Sequence, residues 1–594
     1  MGLMQKAIET YDYMQRYVGI EREGKETLAP IGHIIARASI EITLDAEGKF
    51  IQARAVDQKI IIPVTEESSG RTSAPAAHAL DEQLGYLIDP YSDKAKLFLE
   101  ELREWMVSEY TSPKLRAVYL YVENGSIRND LENAGLLKTD DTGSTKNEKE
   151  LVCWRVLGLG ENSGPVWRDP KLIDAYSKYY LERNAGKEKR LCMLTGEYTM
   201  QAQQHLKGVV SLNGNAKIIS SNDHANFTYR GRFKEPEEAC TVGYLASQKA
   251  HNALKWLVAN DGVFSGTRTF LCWNPRGQAI PRATNPLIKR SEVKYEPSEY
   301  NEQLRQVLFS YKAQLPQSDE VIVAAFDAAT TGRLAVTYYN ELQASDFLDM
   351  LAYWDETCCW YDNRWGVSSP ALLTIISCAF GTQHGDEGKI EADDKIIAQH
   401  MQRLLACRVD RSPFPQDILM ALIRKADNLQ VFSRKNRDQM LFTCCAVIRK
   451  YRIDLFKEEI YMALEPTRRD RSYQFGRLLA VLEKIEADTY DKSETRETNA
   501  IRLQSVFVRR PGYAAKIIMD QLKNGYYPRL KPGQRVFYDR LIGEIMEQLS
   551  QFPGEEYNKS LSETYLPGYY LQKNALYTKK ELSDSNEEEN EDEV

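Results

Sequence analysis

The sequence predicts an α+β fold, in which an N-terminal mixed α/β region is followed by an all-helical C-terminal bundle. In residues 1–345, short runs of β-branched and aromatic residues alternate with helix-like segments, and such runs are typical of strands. Beyond Ser345, apolar residues recur every three or four positions, which indicates amphipathic helices. A chain of 594 residues is too long for one hydrophobic core, so we expect several domains.

The N-terminal region supplies strands and helices in mixed order. The runs with strand character are Ala38–Leu44, Lys59–Val64, Ala117–Val122, Lys217–Ser220, Arg268–Trp273 and Val321–Phe326. Lys94–Ser108 has helical spacing of its apolar residues. The polar stretch Asn124–Glu150 predicts a surface loop or insertion, and Asn274–Glu299, rich in Pro and Arg, predicts a long loop.

Helical periodicity dominates the C-terminal region. It is clearest in Lys395–Cys407, Gln416–Ala426, Arg437–Arg449, Arg477–Asp488 and Tyr538–Leu549. Within Gly476–Ile485, the side chains of Leu478, Leu482 and Ile485 fall on one stripe. We expect an α+β region at 1–345, a helical middle region at 346–470, a helical bundle at 471–580 and a disordered tail at 581–594.

Charge is distributed unevenly along the chain. The formal net charge is −8, and Glu581–Val594 carries eight acidic residues and no basic ones, so that residues 1–580 are neutral. A block of like charge without apolar residues is typical of disorder. Two roles stay open for this tail, which either increases solubility or competes with nucleic acid for a nearby basic surface.

A basic surface of this kind is predicted at Arg502–Arg540. The stretch has nine Lys and Arg residues against Asp520 and Asp539, a net charge of +7, and six interleaved aromatic residues. Cations that follow a phosphate backbone, with rings on which bases stack, are typical of single-strand binding. The alternative is a set of amphipathic helices that bury Phe507 and Phe537 and present a solvated basic face.

No catalytic constellation is found. Gly158–Gly164 lacks the lysine that a phosphate-binding loop needs. The acidic residues Asp386, Glu387, Glu391, Asp393 and Asp394 favour either a metal-dependent nuclease site or a solvated turn and helix start. The seven histidines include no HExxH motif, and His205 has no carboxylate nearby in the sequence.

Cysteine spacing and hydropathy argue against a metal-binding, disulfide-bonded, membrane or secreted protein. The ten cysteines include no CxxC pair, so we expect reduced residues that hold neither a metal nor a disulfide. The longest apolar run, Ala371–Phe380, is shorter than the roughly 18 residues of a membrane span. The N-terminal sequence lacks the apolar core of a signal peptide, and we therefore expect a cytoplasmic protein.

Several short motifs follow one another along the chain. Cys192–Gly196 reads Cys-x-x-Thr-Gly, and His205–Gly208 reads His-x-Lys-Gly. Further motifs are Ser220–Asn222, Phe227–Tyr229, Tyr244–Leu257, Trp273, Gly332–Tyr339, Gly476–Glu483 and Gly568–Tyr577. In this order they resemble one family, the large subunit of the type I-C CRISPR–Cas surveillance complex, Cascade. The resemblance covers the chain except for its acidic tail.

The resemblance implies a non-catalytic subunit of an RNA-guided antiviral complex. Guide pairing reads most of the target in such systems, while protein reads a short flanking motif, the PAM, in duplex DNA. The implied partners are CRISPR RNA, the Cascade backbone subunits, a small subunit, target double-stranded DNA and a separate helicase–nuclease. The small subunit can be made in this family from an internal start, for which Met462 is suitably placed. No cofactor and no membrane are implied.

Two sets of site residues follow from this resemblance. The family uses its N-terminal domain for PAM recognition, and Gly70–Pro75 presents Arg71, Thr72 and Ser73 on a loop. The displaced non-target strand is then expected to lie on Arg509, Arg510, Lys516, Lys523, Tyr526, Tyr527, Arg529, Lys531 and Arg535. The alternative functions are a stand-alone metal-dependent nuclease and a general single-strand-binding protein.

Overall fold

The computed structural model shows a mixed α/β protein with a helical C-terminal region. The structure describes residues 2–71, 74–138, 145–220, 232–291, 293–385, 388–491, 493–494 and 496–577. The chain divides into two compact units, of which unit 1 comprises Met1–Gln278 and Glu320–Glu341, and unit 2 comprises Ala279–Asp319 and Leu342–Val594. None of the described helices combines the length and apolar composition that a membrane span requires.

Unit 1 contains the first eight helices and almost all of the first ten strands. The helices are α1 (Leu3–Tyr13), α2 (Glu66–Gly70), α3 (Asp93–Val107), α4 (Pro113–Asn124), α5 (Ile127–Asn133), α6 (Pro170–Arg183), α7 (Pro236–Ala239) and α8 (Tyr244–Asp261). The strands are β1 (His33–Leu44), β2 (Phe50–Pro63), β3 (Val152–Val156), β4 (Gly164–Pro165), β5 (Lys189–Leu191), β6 (Tyr198–Met200), β7 (Val263–Ser265), β8 (Arg268–Trp273), β9 (Glu320–Asp327) and β10 (Ala335–Gln343).

The first sheet of unit 1 has the strand order β2-β1-β3-β4. Strands β1 and β2 form a long antiparallel pair, and β3 runs parallel to β1 with Ile42 opposite Trp154. Alternate residues of β1, including Ile40 and Ile42, enter a core shared with α3, α4 and α6. On the other side of the sheet, Ile60 and Ile62 of β2 pack with Ala38 in a second cluster. The apolar strand-like runs near residues 38 and 60 are therefore confirmed as parts of β1 and β2.

The second sheet of unit 1 has the order β10-β9-β8-β7. Strands β8 and β9 pair antiparallel, and their apolar residues pack with α1 and α8. The indole Nε1 of Trp273 donates to Thr10 Oγ1 at 3.0 Å, which joins the end of β8 to α1. The predicted strands Arg268–Trp273 and Val321–Phe326 are therefore confirmed.

The strand predicted at Ala117–Val122 is wrong, because these residues form part of helix α4. Ser112 caps the helix by accepting a hydrogen bond from the Leu115 amide at 3.1 Å, and Pro113 occupies its first turn. Gly125, in the left-handed conformation, ends it. These capping signals and the buried stripe of α4 override the β propensity of the Val and Tyr residues.

Two further predictions in unit 1 need correction. Lys217–Ser220 is not a strand, since only Lys217 forms an isolated bridge, to Arg333. The predicted loop Asn124–Glu150 contains helix α5, whose Ile127 and Leu131 are buried in the core. A short helix with two apolar anchors one turn apart has too few residues to stand out against polar neighbours.

Unit 2 is mainly helical. Its helices are α9 (Pro297–Gln314), α10 (Ala344–Thr357), α11 (Leu372–Phe380), α12 (Asp394–Asp410), α13 (Gln416–Ala426), α14 (Arg434–Phe456), α15 (Arg471–Ala487), α16 (Asn499–Arg502), α17 (Gln504–Arg509), α18 (Pro511–Gly525), α19 (Pro532–Ser550), α20 (Gly554–Tyr557) and α21 (565–577). Its strands are β11 (Trp360–Asp362), β12 (Gly366–Ser368), β13 (Thr382–Gln383) and β14 (Ile390–Glu391).

The predicted helices of this region are confirmed, with a difference in the middle of the chain. Strands β11 and β12 form one antiparallel ribbon, and β13 and β14 form another. The region beyond Ser345 is therefore not all-helical, since both ribbons fall between helices. Strands of two or three residues are too short to give a readable alternation in sequence.

Helices α15 and α21 cross with their backbones in close approach. A Cβ atom added to Gly476 would lie 2.0 Å from the Tyr565 carbonyl oxygen, and one added to Gly568 would lie 2.2 Å from the Tyr473 carbonyl oxygen. Arg477 Nε donates to Gln572 Oε1 at 2.9 Å across the same crossing. The motifs GRLLAVLE and GYYLQKNALY thus form one packed pair of helices.

Candidate nucleic-acid interface

Arg71 lies directly after α2, at the start of the predicted DNA-reading loop. Its guanidinium forms two hydrogen bonds of 2.6 Å to the carboxylate of Glu82 and donates to the Ala76 carbonyl oxygen at 2.6 Å. It also lies 4.7 Å from the ring centroid of Tyr86. The side chain of Glu82 is fully buried, and that of Arg71 is 14% exposed. Thr72 and Ser73 lie outside the described residues.

Through these contacts, the Arg71 guanidinium holds the two ends of the loop together. Removing the guanidinium would leave the Glu82 carboxylate buried and unpaired, a change that destabilises proteins by about 3–5 kcal/mol. An Arg71 substitution therefore alters folding as well as any DNA contact. Thr72 and Ser73 are the better positions at which to test DNA reading.

The segment around His205 supports the base of this loop. Glu66 in α2 accepts the backbone amide hydrogen of Gln203 at 2.8 Å, and Lys207 Nζ donates to the Arg71 carbonyl oxygen at 2.9 Å. His205 Nδ1 lies 2.8 Å from Ser247 Oγ of α8. Burial is the largest cause of a lowered His205 pKa of about 3, so this imidazole is neutral and has a packing role.

The Cys-x-x-Thr-Gly element is also structural. Cys192 Sγ accepts the backbone amide hydrogen of Gly243 at 3.2 Å, immediately before α8. All ten cysteines are free thiols, and eight of them are buried. Burial suits the packing role of small apolar residues, and the absence of disulfides stays a prediction.

Glu66 makes the stability of unit 1 dependent on pH. Its side chain is buried, Oε2 has no described hydrogen-bond partner, and burial is the largest cause that raises its pKa from 4.5 to about 7. Because the folded state retains the proton to higher pH than the unfolded state, this contribution is present below about pH 4.5 and is lost as the pH rises through 7.

We expect Glu66→Gln to raise the melting temperature at pH 8 and to leave it nearly unchanged at pH 5. Glutamine keeps the acceptor for the two backbone amides and cannot ionise, and the expected gain at pH 8 is on the order of 1 kcal/mol. Thermal unfolding at both pH values measures it, with the exposed Glu67→Gln as the matched control. Equal responses of the two variants would contradict this account.

The basic stretch of unit 2 covers α17, α18 and α19. Of its nine cations, all except the half-buried Arg535 are exposed. Arg540 lies 3.6 Å from Glu544, whereas none of the other eight pairs with any carboxylate of the described residues. Those eight are Arg502, Arg509, Arg510, Lys516, Lys523, Arg529, Lys531 and Arg535. The charges of the seven exposed residues, all but Arg535, are thus open to a ligand.

Helix α18 divides this surface from the core. Tyr513 is 54% exposed and lies on the same side as the exposed Lys516 and Lys523, three and ten residues further along. Ile518 and Leu522 are buried on the opposite side. The 3.6-residue repeat therefore places an aromatic ring and two ammonium groups on one solvent-facing stripe.

The turn between α18 and α19 is held by its own side chains. Arg496 and Arg529 each lie 5.8 Å from the Tyr526 ring centroid, and Tyr527 donates to Asp539 at 3.0 Å. Arg535 donates to two backbone carbonyl oxygens of the turn. Arg535 and Tyr527 thus have structural contacts in addition to their predicted role.

The remaining aromatic residues of the stretch divide between core and surface. Phe507 and Tyr538 are buried, at 0% and 3% exposure. Phe537 is half-buried. The helical-core interpretation is therefore correct for Phe507, while the exposed Tyr513 stays available for stacking.

The acidic cluster near residue 390 contributes to helix formation. Asp393 caps α12 by accepting the Lys395 amide hydrogen at 2.9 Å, and Glu391 lies on the exposed side of β14. Asp386 and Glu387 lie outside the described residues. Within the part of the chain that the structure describes, no group of three or more His, Cys, Asp or Glu residues is placed to hold a metal ion.

Comparison with known protein families first assigns the chain to a class, the CRISPR-associated proteins. A family model described as CRISPR-associated protein (Cas_Csd1) matches residues 11–577. The chain therefore belongs to the Csd1 family, the large subunit of type I-C systems and a structural subunit of Cascade. Family membership implies assembly with other Cas subunits and CRISPR RNA. No curated protein matches the chain.

Proposed function

We propose that this subunit recognises the PAM in duplex DNA, assists unwinding and R-loop formation, holds the displaced non-target strand and helps recruit the helicase–nuclease. It performs no cleavage itself in this proposal. The observation that carries it is the surface of α17–α19, where eight cations lack any described carboxylate partner. A structural subunit of an RNA-guided complex needs such a surface wherever a strand is released from pairing.

The chemistry of this surface suits a single strand. Arg and Lys side chains neutralise phosphates whatever the sequence, and an exposed ring such as Tyr513 stacks on any base, for about 1–3 kcal/mol per base. The half-buried ring of Tyr526, flanked by Arg496 and Arg529, offers a second platform. We infer that the displaced strand lies along α17, α18 and the following turn.

The loop Gly70–Pro75 is proposed to contact the PAM duplex. Its two ends are fixed by described contacts, since Arg71 is bound to Glu82 and to Lys207, and Ala76 accepts from Arg71. Thr72 and Ser73 lie between these two ends in the sequence, and we propose them as the residues that contact the duplex. Hydroxyl groups bond both base edges and phosphates.

We expect the double variant Thr72→Ala/Ser73→Ala to reduce discrimination between correct and mutated PAMs. Each lost bond to a base edge lowers discrimination by about 1–3 kcal/mol. Binding of the assembled complex to matched and PAM-mutated duplexes measures this ratio. Thr330→Ala/Thr331→Ala, an adjacent exposed pair in the same unit, is the control. An equal loss of affinity on all duplexes would indicate phosphate contacts instead of base reading.

The small subunit is proposed to arise from an internal start at Met462. A product from Met462 to Val594 has 133 residues and contains both α15 and α21, so the Gly476–Gly568 crossing is complete within it. The product would therefore keep this packed pair of helices.

We expect a Met462→Ala gene to yield the full chain without the short product. Mass spectrometry of the purified complex detects both species. Met420→Ala, at another partly exposed methionine of unit 2, is the control and should leave the short product in place. Continued synthesis of a product beginning at residue 462 in the Met462→Ala strain would refute this start.

A further inference from the structure

Three lysines of unit 1 form a cationic cluster that the basic stretch does not include. Lys207 lies in the His205–Gly208 element, Lys217 forms a backbone bridge to Arg333, and Lys255 lies in the middle of α8. Each side chain is half-buried. None of the three forms an ion pair with a carboxylate of the described residues, which distinguishes them from Lys249 of α8, whose Nζ lies 2.7 Å from Asp12.

Two of the three ammonium groups, those of Lys207 and Lys217, lie at the base of the loop Gly70–Pro75. Lys207 Nζ bonds the Arg71 carbonyl oxygen at 2.9 Å, and Lys217 Nζ lies 3.9 Å from the position that a Cβ of Gly70 would occupy. Burial, followed by the charge of neighbouring cations, lowers the pKa of all three, and that of Lys255 falls to about 8. Lys207 is the neighbouring cation for both of the others.

Lys255 borders a cavity through which a ligand can reach it. The cavity has a volume of about 330 Å³ and is also lined by Gly208, Ser211, Asn252 and Trp256. Glu26 and Lys59, which also line the cavity, pair with each other. The one carboxylate among the lining residues is thus already bound, and the cavity retains a positive charge.

Desolvated cations that repel one another destabilise a fold unless an anion offsets them. A phosphodiester is a suitable anion, since its oxygens accept from ammonium donors without needing a fixed orientation. We propose that Lys207, Lys217 and Lys255 each bind a phosphate of one continuous stretch of the target-duplex backbone, beside the loop Gly70–Pro75. The choice of duplex DNA as the source of the phosphate rests on the function proposed above for that loop.

The test is the salt dependence of duplex binding by the assembled complex. Neutralising three phosphates contributes about 2.7 to the slope of log affinity against log salt on duplex DNA. We expect Lys207→Ala/Lys217→Ala/Lys255→Ala to flatten the slope by that amount, and each single variant to flatten it by about 0.9. The triple Lys→Arg variant, which keeps the charges, should retain the original slope.

Lys49→Ala/Lys149→Ala/Lys171→Ala is the matched control, because these lysines of unit 1 are exposed. The ratio of affinities for correct and mutated PAMs should not change in the Lys207/Lys217/Lys255 variants, since phosphate contacts carry no sequence information. An unchanged slope in all three single variants would overturn the phosphate site. Failure of the loop proposal is seen separately, as intact PAM discrimination in Thr72→Ala/Ser73→Ala.

Discussion

Replacing Arg509, Arg510, Lys523 and Lys531 together with alanine is expected to flatten the salt dependence of single-strand binding by about 2.8, because each neutralised phosphate contributes about 0.7 to the slope on a single strand. If the affinities of the two proteins coincide at 1 M salt, the variant binds about 600-fold more weakly at 0.1 M salt. All four side chains are exposed and lack described carboxylate partners, so their removal breaks no described ion pair. Folding should therefore be unaffected, and the loss of affinity can be attributed to the missing phosphate contacts.

The measurement uses the assembled complex and a target whose non-target strand is displaced, over a series of salt concentrations. Arg424→Ala/Lys435→Ala/Arg469→Ala/Lys559→Ala is the matched control, since it removes the same charge from exposed positions elsewhere in unit 2. If the control variant keeps the wild-type slope, the flattened salt dependence is due to the charges of α17–α19. Equal flattening in both quadruple variants would show that general net charge, and not this surface, holds the strand.

The N-terminal fold was predictable where one periodicity dominated and not where two signals competed. Strands β1 and β2 could be predicted because each contains a run of apolar, β-branched residues. The strand prediction for Ala117–Val122 is wrong because its Val and Tyr residues favour strands locally. The N-cap at Ser112 and the helix end at Gly125 favour a helix instead. Capping residues at both ends of a run therefore carry more information than the composition inside it.

The candidate sites differ in predictability for a similar reason. The surface of α17–α19 was visible since its cations are contiguous in sequence. Lys207, Lys217 and Lys255 come from three separate segments of the sequence. Only tertiary packing brings Lys217 and Lys255 close enough to Lys207 for their charges to repel. The sequence likewise does not reveal that Glu82, eleven residues after Arg71, takes that guanidinium into a buried pair.

Alanine at Gly476 or Gly568 is expected to destabilise unit 2 more than its size suggests. The added methyl carbon would lie 2.0 Å or 2.2 Å from a carbonyl oxygen of the facing helix, so the backbone must move. Overpacking of this kind costs about 3 kcal/mol at the upper end of the usual range. Alanine's better helix propensity returns about 1 kcal/mol, which leaves a net loss of about 2 kcal/mol.

Thermal unfolding tests this expectation directly. A loss of about 2 kcal/mol lowers the melting temperature by about 3 °C in a unit as large as unit 2. Gly543→Ala in α19 is the control, because no atom lies within 4 Å of its added methyl carbon and the propensity gain acts alone. The two substitutions should therefore shift the melting temperature in opposite directions. A Gly476→Ala protein as stable as Gly543→Ala would mean that α15 and α21 do not approach as closely as described, and the packed role of both motifs would be lost with it.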